Sequence, residues 1–195
     1  MENVNQNIAV YILCGGRSSR MKSEKGLVEF KGKAFLQWIL EAVYPLSDKI
    51  TLVTKNDKYS KFQLPIIHDL VDNKGPVGGI YTALSDSNSK YNLILSCDIP
   101  KITTEVLNDL IQLAFNSEKE ISILSDETHD YPLIGCYQKK LFPIFQNAVF
   151  QNHLKLCALV DSLSPQKFQV IRKNQSAVQN INSLEDLYSL QIQSW

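Results

Sequence analysis

The chain has 195 residues, of which 44% are hydrophobic and 21% are charged. A globular chain of this length can bury a core of its own, so we expect a single domain spanning residues 1–195. Its 20 basic and 20 acidic residues give a formal net charge of zero at pH 7. A neutral chain has no general positive field to attract nucleic acid or an anionic membrane, so we expect neither as a partner.

Neither export nor membrane insertion is expected from the sequence. Its longest uninterrupted apolar run, residues 8–14, is seven residues long, whereas a membrane-spanning helix needs about 20. The opening MENVNQN has neither the basic start nor the long apolar stretch of a secretory signal. We therefore expect a cytoplasmic protein whose cysteines, at positions 14, 97, 136 and 157, are reduced and mostly buried thiols.

Strands and helices are predicted to alternate along the first half of the chain. Continuous β-rich apolar runs predict strands that are buried on both faces. Apolar residues that recur every three to four positions predict amphipathic helices. In chain order, the patterns predict a strand over 8–13, a helix over 34–46, a strand over 49–54, a short strand over 64–69, a loop leading into a helix over 75–86, and a strand over 91–98.

The second half of the chain is predicted to continue in the same way. Its patterns predict a helix over 104–115, strands over 121–126 and 131–138, a helix over 141–150 that starts near Pro143, a helix over 153–163, a late strand over 167–173, and a final helix over 184–192 capped by Ser183. The alternation predicts an α/β fold with a mainly parallel central sheet between two layers of helices.

The loop after the first predicted strand is the richest in groups that bind phosphate, and ligands of such sheets bind at the carboxyl ends of strands. Its sequence LCGGRSSRMKSEKG (13–26) combines paired glycines and hydroxyls with the cations Arg17, Arg20, Lys22 and Lys25. Glycines let main-chain N–H groups approach a ligand, and Arg and Lys neutralise phosphate oxygens. The loop matches neither G-x-G-x-x-G nor G-x-x-x-x-G-K-[ST]. It favours a phosphate site over a solvated cationic loop.

Asp98 ends the strongest apolar strand, in the segment SCDIP (96–100). A carboxylate in this position would face the same cleft as the cationic loop. It suits Mg²⁺, which takes one or two protein carboxylates together with phosphates and waters. The alternative is an ordinary turn or helix-capping aspartate. Taken together with the loop, Asp98 favours a metal-bound phosphate substrate.

Two further segments are ambiguous. Glycines 75, 78 and 79 either let the backbone approach a flat ligand or allow tight helix packing. Asn180 and Asn182 are candidate metal or phosphate ligands, although composition favours a simple entry turn for the final helix. The three histidines are scattered, and neither G-x-S-x-G nor H-E-x-x-H occurs. Hydrolase triads and zinc proteases are therefore poor fits.

In combination, these segments resemble the molybdenum cofactor guanylyltransferase family, a branch of the nucleotidyltransferases with a Rossmann-like sheet. The resemblance covers nearly the whole chain and implies the three-layer fold of that family. Its ordered motifs are ILCGGRSSRMKSEKG (12–26), HDL (68–70), GPVGGI (75–80), SCDIP (96–100), YPLIGCY (131–137) and NINSLEDL (180–187).

The resemblance implies transfer of GMP from GTP to the terminal phosphate of molybdopterin carrying molybdenum, with Mg²⁺ as cofactor. The products would be the guanine dinucleotide cofactor and pyrophosphate. It also implies docking to molybdoenzymes or to a molybdenum insertion protein. By matching position, the main chain of Leu13, Cys14 and Gly15 would contact the nucleotide, Arg20 and Lys25 the phosphates, Asp69 the nucleoside, Asp98 the nucleotide and Mg²⁺, and Asn180 and Asn182 the metal or acceptor side.

Two alternatives remain open at this point. The first is a cytidylyltransferase acting on molybdopterin or on another phosphate monoester. The cytidine branch typically has L-A-A-G where this chain has residues 13–16 as L-C-G-G, so Gly15 favours guanine. The second is a non-catalytic carrier of nucleotide or cofactor, which would not need the carboxylate of Asp98. Thr54 stands where the family often has asparagine, and Asn56 is a candidate to replace it in base contacts.

Overall fold

The computed structural model describes residues 8–15, 24–171, 177–181, 186 and 188. Within them, seven strands form one sheet and two form a separate hairpin. The strands are β1 (Ile8–Leu13), β2 (Glu29–Phe30), β3 (Lys33–Ala34), β4 (Ile50–Val53), β5 (Ile66–Ile67), β6 (Tyr91–Ser96), β7 (Ile121–Ser125), β8 (Asp130–Gln138) and β9 (Gln166–Gln169).

The central sheet is mainly parallel, as the sequence predicts. Its strand order is β5-β4-β1-β6-β8-β7-β9. The neighbours β5/β4, β4/β1, β1/β6 and β7/β9 pair in parallel. Only the pairings of β8, with β6 on one side and β7 on the other, are antiparallel within this sheet. The hairpin of β2 and β3 lies outside this sheet and leads directly into the first helix.

Helices cover both faces of the sheet. They are α1 (Phe35–Val43), α2 (Gly75–Asp86), α3 (Thr104–Asn116), α4 (Phe142–Phe150) and α5 (Leu156–Ser162), with 3-10 helices at Lys25–Leu27, Asp57–Phe62 and Lys139–Leu141. None of the helices in the described part of the chain combines the length and the apolar character needed to cross a membrane.

The alternation of side chains along β1 explains the three layers. In a strand, successive side chains point to opposite faces. Ile8, Val10 and Ile12 share one buried cluster with apolar residues of α1 and α3. Ala9, Tyr11 and Leu13 share a second cluster with residues of α2, α4 and α5. A strand that is buried on both faces must be apolar at every position, and this accounts for the continuous run IAVYIL.

Several predicted element boundaries are corrected by the structure. The segment 75–86 is helical from Gly75, without the predicted leading loop, and Pro76 occupies the first turn, where a missing N–H group costs nothing. The helix predicted over 153–163 begins only at Leu156, and the late strand covers Gln166–Gln169. Ser183 and most of the predicted final helix lie outside the described residues. Asp186 and Tyr188, which are described, are helical.

The strand order reverses between β1 and β6. From β1 the chain proceeds to β4 and β5 on one side, whereas from β6 it proceeds to β7 on the other side. In open α/β sheets, ligands bind at such a reversal, outside the carboxyl ends of the two strands. The relevant residues here are those that follow Leu13 and Ser96.

Candidate functional site

The carboxyl ends of β1 and β6 are held in register. Leu13 of β1 lies opposite Ser96 of β6, so the residues that follow them leave the sheet side by side. The N–H of Cys14 donates to the carbonyl oxygen of Val53 at 3.0 Å, which extends the ladder with β4 by one residue. The main chain up to Cys14 is therefore as firmly placed as the sheet itself, and Gly15 is the first exposed position beyond it.

Asp98 and Lys25 meet at this reversal point. Lys25 is the first residue of a 3-10 helix, and its Nζ lies 2.8 Å from Oδ2 of Asp98. The other carboxylate oxygen, Oδ1, accepts a hydrogen bond from Ser96 Oγ at 2.7 Å. The carbonyl oxygen of Asp98 accepts a hydrogen bond from the N–H of Ile181 at 2.9 Å. Two residues predicted to act together thus touch across 73 positions of sequence.

Asp98 does not cap the helix that follows it. That helix, α3, is capped by Thr103, whose Oγ1 accepts from the N–H of Val106 at 3.4 Å. The side chain of Asp98 instead faces a lysine and a serine, and it is buried. A buried carboxylate is stable only when cations and hydrogen-bond donors surround it. The helix-capping interpretation of Asp98 is therefore excluded.

The turn that carries Lys25 rests on a closely packed floor. A Cβ atom built on Gly26 would lie 2.8 Å from Oη of Tyr59 and 3.2 Å from Cβ of Cys97. Real Cβ atoms do not approach neighbours this closely, so only a glycine lets the turn pack this tightly against Tyr59 and Cys97. Tyr59 comes from the 3-10 helix Asp57–Phe62 and is fully buried. Tyr59 belongs to no recognisable motif, so sequence reasoning missed its contact with the turn.

The thiols of Cys14 and Cys97 lie next to each other beneath the site. Both are buried, and the hydrogen bond to Cys97, together with burial, raises the pKa of Cys14 well above its ordinary value. A buried neutral thiol packs as a small apolar group. Cys136 is also buried, Cys157 is exposed, and all four are free thiols. Three of the four cysteines are therefore buried, as predicted.

Asp69 lies at the same edge of the sheet, after β5. Its Oδ2 is 4.0 Å from the point where a Cβ of Gly15 would stand. Burial raises the pKa of Asp69, and electrostatic interactions, with Lys55 first and then with His68, partly oppose that shift. The structure thus places Asp69 close to Gly15, shortly after the end of β1.

Gly79, in the first half of α2, serves packing. A Cβ on Gly79 would lie 3.0 Å from Cδ1 of Leu13, so this glycine lets α2 approach β1 closely. Of the two interpretations that the sequence left open, tight helix packing describes Gly79. Asn56, the candidate for base contacts, uses its side-chain oxygen to accept from the N–H of Lys58 at 3.0 Å and so caps the following 3-10 helix.

Some predicted site residues are not placed. Arg17, Arg20, Lys22 and Asn182 lie outside the described residues. Asn180 is described and exposed, one residue before Ile181, which binds the main chain of Asp98. The segment 177–181 therefore passes beside the site. Ser96 was missed by sequence reasoning, although its spacing of two from Asp98 in the strand predicted over 91–98 could have indicated it, since alternate residues of a strand share a face.

The described residues contain no group of three or more His, Cys, Asp or Glu side chains that could hold a metal ion unaided. A metal at Asp98 would thus need ligands from a substrate or from water. Mg²⁺ accepts such a ligand set, with one or two carboxylates completed by phosphate and water oxygens. The approach of the Lys25 ammonium to Oδ2 shows that this oxygen binds a cation, so the donor fits.

The three-layer α/β fold thus pairs a cation with a carboxylate at the strand-order reversal, where ligands of such sheets bind. Comparison with known proteins gives the class. Residues 10–166 match the family model of the MobA-like NTP transferase domain. The chain belongs to the MobA-like NTP transferase family.

Curated relatives agree with this assignment, and a solved structure shares the fold. A probable molybdenum cofactor guanylyltransferase of Flavobacterium johnsoniae is 43% identical, over 96% of this chain and 98% of the relative. A molybdenum cofactor guanylyltransferase of Vibrio parahaemolyticus is 32% identical, over 68% of this chain and 69% of the relative. The crystal structure of molybdopterin-guanine dinucleotide biosynthesis protein A from Archaeoglobus fulgidus shares the fold, with a TM-score of 0.82, 24% identity, and coverage of 94% and 97%.

Proposed function

We propose that this protein is a molybdenum cofactor guanylyltransferase. It transfers GMP from GTP to the terminal phosphate of molybdenum-bearing molybdopterin and releases pyrophosphate. The observation that carries the proposal is the pair of Lys25 and Asp98, 2.8 Å apart at the strand-order reversal of a MobA-like NTP transferase. This pair offers one group for phosphate oxygens and one for a metal, which are the two needs of nucleotidyl transfer.

The proposed roles follow the strand ends. The main chain of Leu13, Cys14 and Gly15 receives the nucleotide, because glycine exposes N–H groups there and β4 holds the preceding residue. Asp69 receives the nucleoside. Arg20 and Lys25 neutralise phosphates, Asp98 binds the metal, and Asn180 and Asn182 support the metal or the acceptor.

Nucleotidyltransferases of this family generally use a divalent metal, and we propose Mg²⁺ held by Asp98. When bound, Mg²⁺ neutralises charge on the phosphates of the nucleotide. Lys25 and Arg20 act on the same charge, because each cation next to a phosphate oxygen reduces the repulsion between two anionic substrates. Asp98 fixes where that neutralisation occurs, since its carboxylate is held at both oxygens.

The reaction needs no general base from the protein. The second pKa of a phosphate monoester lies near 6, so the attacking oxygen of the acceptor is largely ionised at pH 7. The work of the site is to bring this oxygen and the α-phosphate of GTP together in line. This requirement agrees with a site of cations, a carboxylate and main-chain donors, in which none of the three histidines has a proposed role.

GTP is favoured over CTP as the donor. The curated relatives described above are named guanylyltransferases, and Gly15 departs from the pattern of the cytidine branch. A carrier without catalysis is also disfavoured, because a pure binder has no need of the Lys25 and Asp98 pair. We further propose that the protein works in the cytoplasm and passes its product to a molybdoenzyme or to a molybdenum insertion protein.

The test is pyrophosphate release by the purified protein with Mg²⁺, GTP or CTP, and molybdopterin supplied with molybdate. We expect release with GTP and little with CTP. Asp98→Asn should lower the rate on the order of a thousandfold, because it removes the charge that binds the metal and leaves a side chain of the same size. Near-normal turnover by this variant, or release with CTP alone, would contradict the proposal.

The matched control is Glu41→Gln. Glu41 forms an ion pair with Lys33 at 2.6 Å on the exposed side of α1, so the substitution also removes a lysine partner but does so away from the strand ends. We expect its turnover to equal that of the unsubstituted protein.

A further inference from the structure

Ser96 is the last residue of β6 and lies two positions before Asp98. It is 8% exposed, and its Oγ donates to Oδ1 of Asp98 at 2.7 Å. Lys25 contacts the opposite oxygen, Oδ2, at 2.8 Å. The two ends of one carboxylate therefore have different partners, one from within the sheet and one from a turn above it.

We propose that Ser96 is a positioning residue for the metal: its hydroxyl fixes the carboxylate of Asp98 so that Oδ2 is presented to a bound divalent cation. This inference rests on the proposed function, in which Asp98 holds the metal. Ser96 itself touches neither metal nor nucleotide in this proposal and acts only through Asp98.

The hydroxyl can do this because its own position is fixed. Ser96 lies in register with Leu13 of β1, in a strand of which every residue is buried. A serine in this setting has little freedom beyond rotation of its side chain, and the short bond to Oδ1 restricts that rotation. The carboxylate of Asp98 is thereby prevented from turning about its terminal torsion, which is otherwise a broad and weakly restricted one.

The main chain of Asp98 is held separately. Its carbonyl oxygen accepts from the N–H of Ile181 at 2.9 Å, which fixes the backbone but not the side chain. Lys25 also contacts the side chain, but through the oxygen that the metal would take. Ser96 thus holds the carboxylate through Oδ1, the oxygen that the metal does not take. Carboxylates that bind metals commonly have their second oxygen hydrogen-bonded in this way, and loss of such a partner typically costs 10- to 100-fold in metal affinity.

The test uses Ser96→Ala and Mn²⁺ as the probe. Mn²⁺ is paramagnetic, so its binding can be followed by electron paramagnetic resonance in the presence of a non-reactive GTP analogue. We expect the dissociation constant for Mn²⁺ to rise about tenfold in Ser96→Ala. Affinity for the GTP analogue without metal should stay within about twofold of the unsubstituted protein, because Ser96 has no proposed contact with the nucleotide.

The matched control is Ser122→Ala on strand β7, which β8 separates from β6 in the same sheet. Ser122 is buried like Ser96, but its Oγ has no hydrogen-bond partner among the described residues. The same atoms are removed from the same kind of strand without touching Asp98. We expect Mn²⁺ binding by Ser122→Ala to equal that of the unsubstituted protein, with thermal stability that is unchanged or raised.

Each outcome has a defined meaning. If the unsubstituted protein binds no Mn²⁺, or if Asp98→Asn binds it equally well, the metal role in the proposed function fails and this inference fails with it. If Asp98→Asn loses Mn²⁺ while Ser96→Ala retains full affinity, only the role of Ser96 is overturned. An equal loss in Ser122→Ala, or an equal loss of metal-free nucleotide binding in Ser96→Ala, would show general damage to the sheet and would also overturn it.

Discussion

The pKa values of two carboxyl groups, Asp69 and Asp126, are shifted in opposite directions by their surroundings. Burial raises the pKa of Asp69, the residue proposed to receive the nucleoside. The pKa of Asp126 is lowered well below its usual range, first by the hydrogen bond from Tyr131 and then by bonds from Thr128. Asp126 closes a turn and favours its charged form, whereas Asp69 is charged at a cost to the fold. Such a cost is typical of groups retained for binding.

We predict that Asp69→Asn changes the pH dependence of stability with a definite sign. A carboxyl with a raised folded pKa contributes stability below its unfolded pKa, near 4, and loses it as the pH rises through the folded pKa. The asparagine variant lacks this loss, so at pH 7 it should be at least as stable as the unsubstituted protein. The difference should shrink toward pH 4. Thermal unfolding between pH 4 and pH 7 measures both.

Asp126→Asn is the control of opposite sign. The contribution of Asp126 is present above pH 4 and disappears as the pH falls through its lowered folded pKa, so this variant should be less stable than the unsubstituted protein at pH 7. Nucleotide binding should fall in Asp69→Asn and persist in Asp126→Asn. Clear destabilisation of Asp69→Asn at pH 7 would contradict a raised pKa of Asp69 in the folded protein.

At the scale of elements, the 3-10 turn that carries Lys25 depends on its contact with the 3-10 helix that carries Tyr59. We predict that Gly26→Ala destabilises the protein by about 1–3 kcal/mol, the usual cost of overpacking. The new Cβ would meet Tyr59 Oη at 2.8 Å, Tyr59 Cε1 at 3.1 Å and Cys97 Cβ at 3.2 Å. Turnover should fall as well, because the turn must rise and take Lys25 away from Asp98. Denaturant unfolding and pyrophosphate release test the two effects.

Tyr59→Phe distinguishes this contact from other causes. The hydroxyl of Tyr59 is buried beside the backbone of Gly26 and forms no hydrogen bond of good geometry among the described residues, so its removal alone should leave stability nearly unchanged. In the double variant with Gly26→Ala, the closest of the three contacts is gone and stability should recover in part. Additive effects of the two substitutions would mean that Gly26 and Tyr59 do not interact.

The elements that could be predicted are those with a long apolar signal. The apolar run of β1 buries both faces of a strand, and the apolar repeat of α1 buries one face of a helix. Both patterns can be read from neighbouring residues in the sequence. The hairpin of β2 and β3 has two residues in each strand, too few to show any period. The 3-10 helix Asp57–Phe62 is mostly polar and buries a single residue, Tyr59. Its position is decided by contacts with distant segments rather than by its own sequence.

At the scale of the whole molecule, the site joins segments that are far apart in the chain. The motifs that contain Lys25, Asp69 and Asp98 could be recognised in the sequence, and their meeting at one sheet edge follows from the parallel strand order. The insertion of β8 between β6 and β7 could not be predicted, because it depends on long-range pairing. The bond from Ile181 to Asp98 is of the same kind, since no local pattern specifies a partner at that separation.

Ile181 connects the carboxyl-terminal part of the chain to both the core and the site. Its side chain is fully buried in a small cluster with Phe30 of the hairpin and Phe35, the first residue of α1. Its N–H binds the carbonyl oxygen of Asp98. The packing of one side chain therefore holds the backbone on which the proposed metal ligand depends.

We predict that Ile181→Ala lowers both stability and turnover. Truncation of a buried isoleucine typically costs about 2–5 kcal/mol, and the loosened segment should no longer hold Asp98 in place. Ile121→Ala is the matched control. Ile121 is as fully buried as Ile181, but it lies at the amino end of β7, away from the carboxyl ends of β1 and β6. It should lose similar stability and keep its turnover at temperatures where the protein stays folded. If the two variants lose turnover equally, the effect is one of general stability, and the bond between Ile181 and Asp98 has no separate role in the reaction.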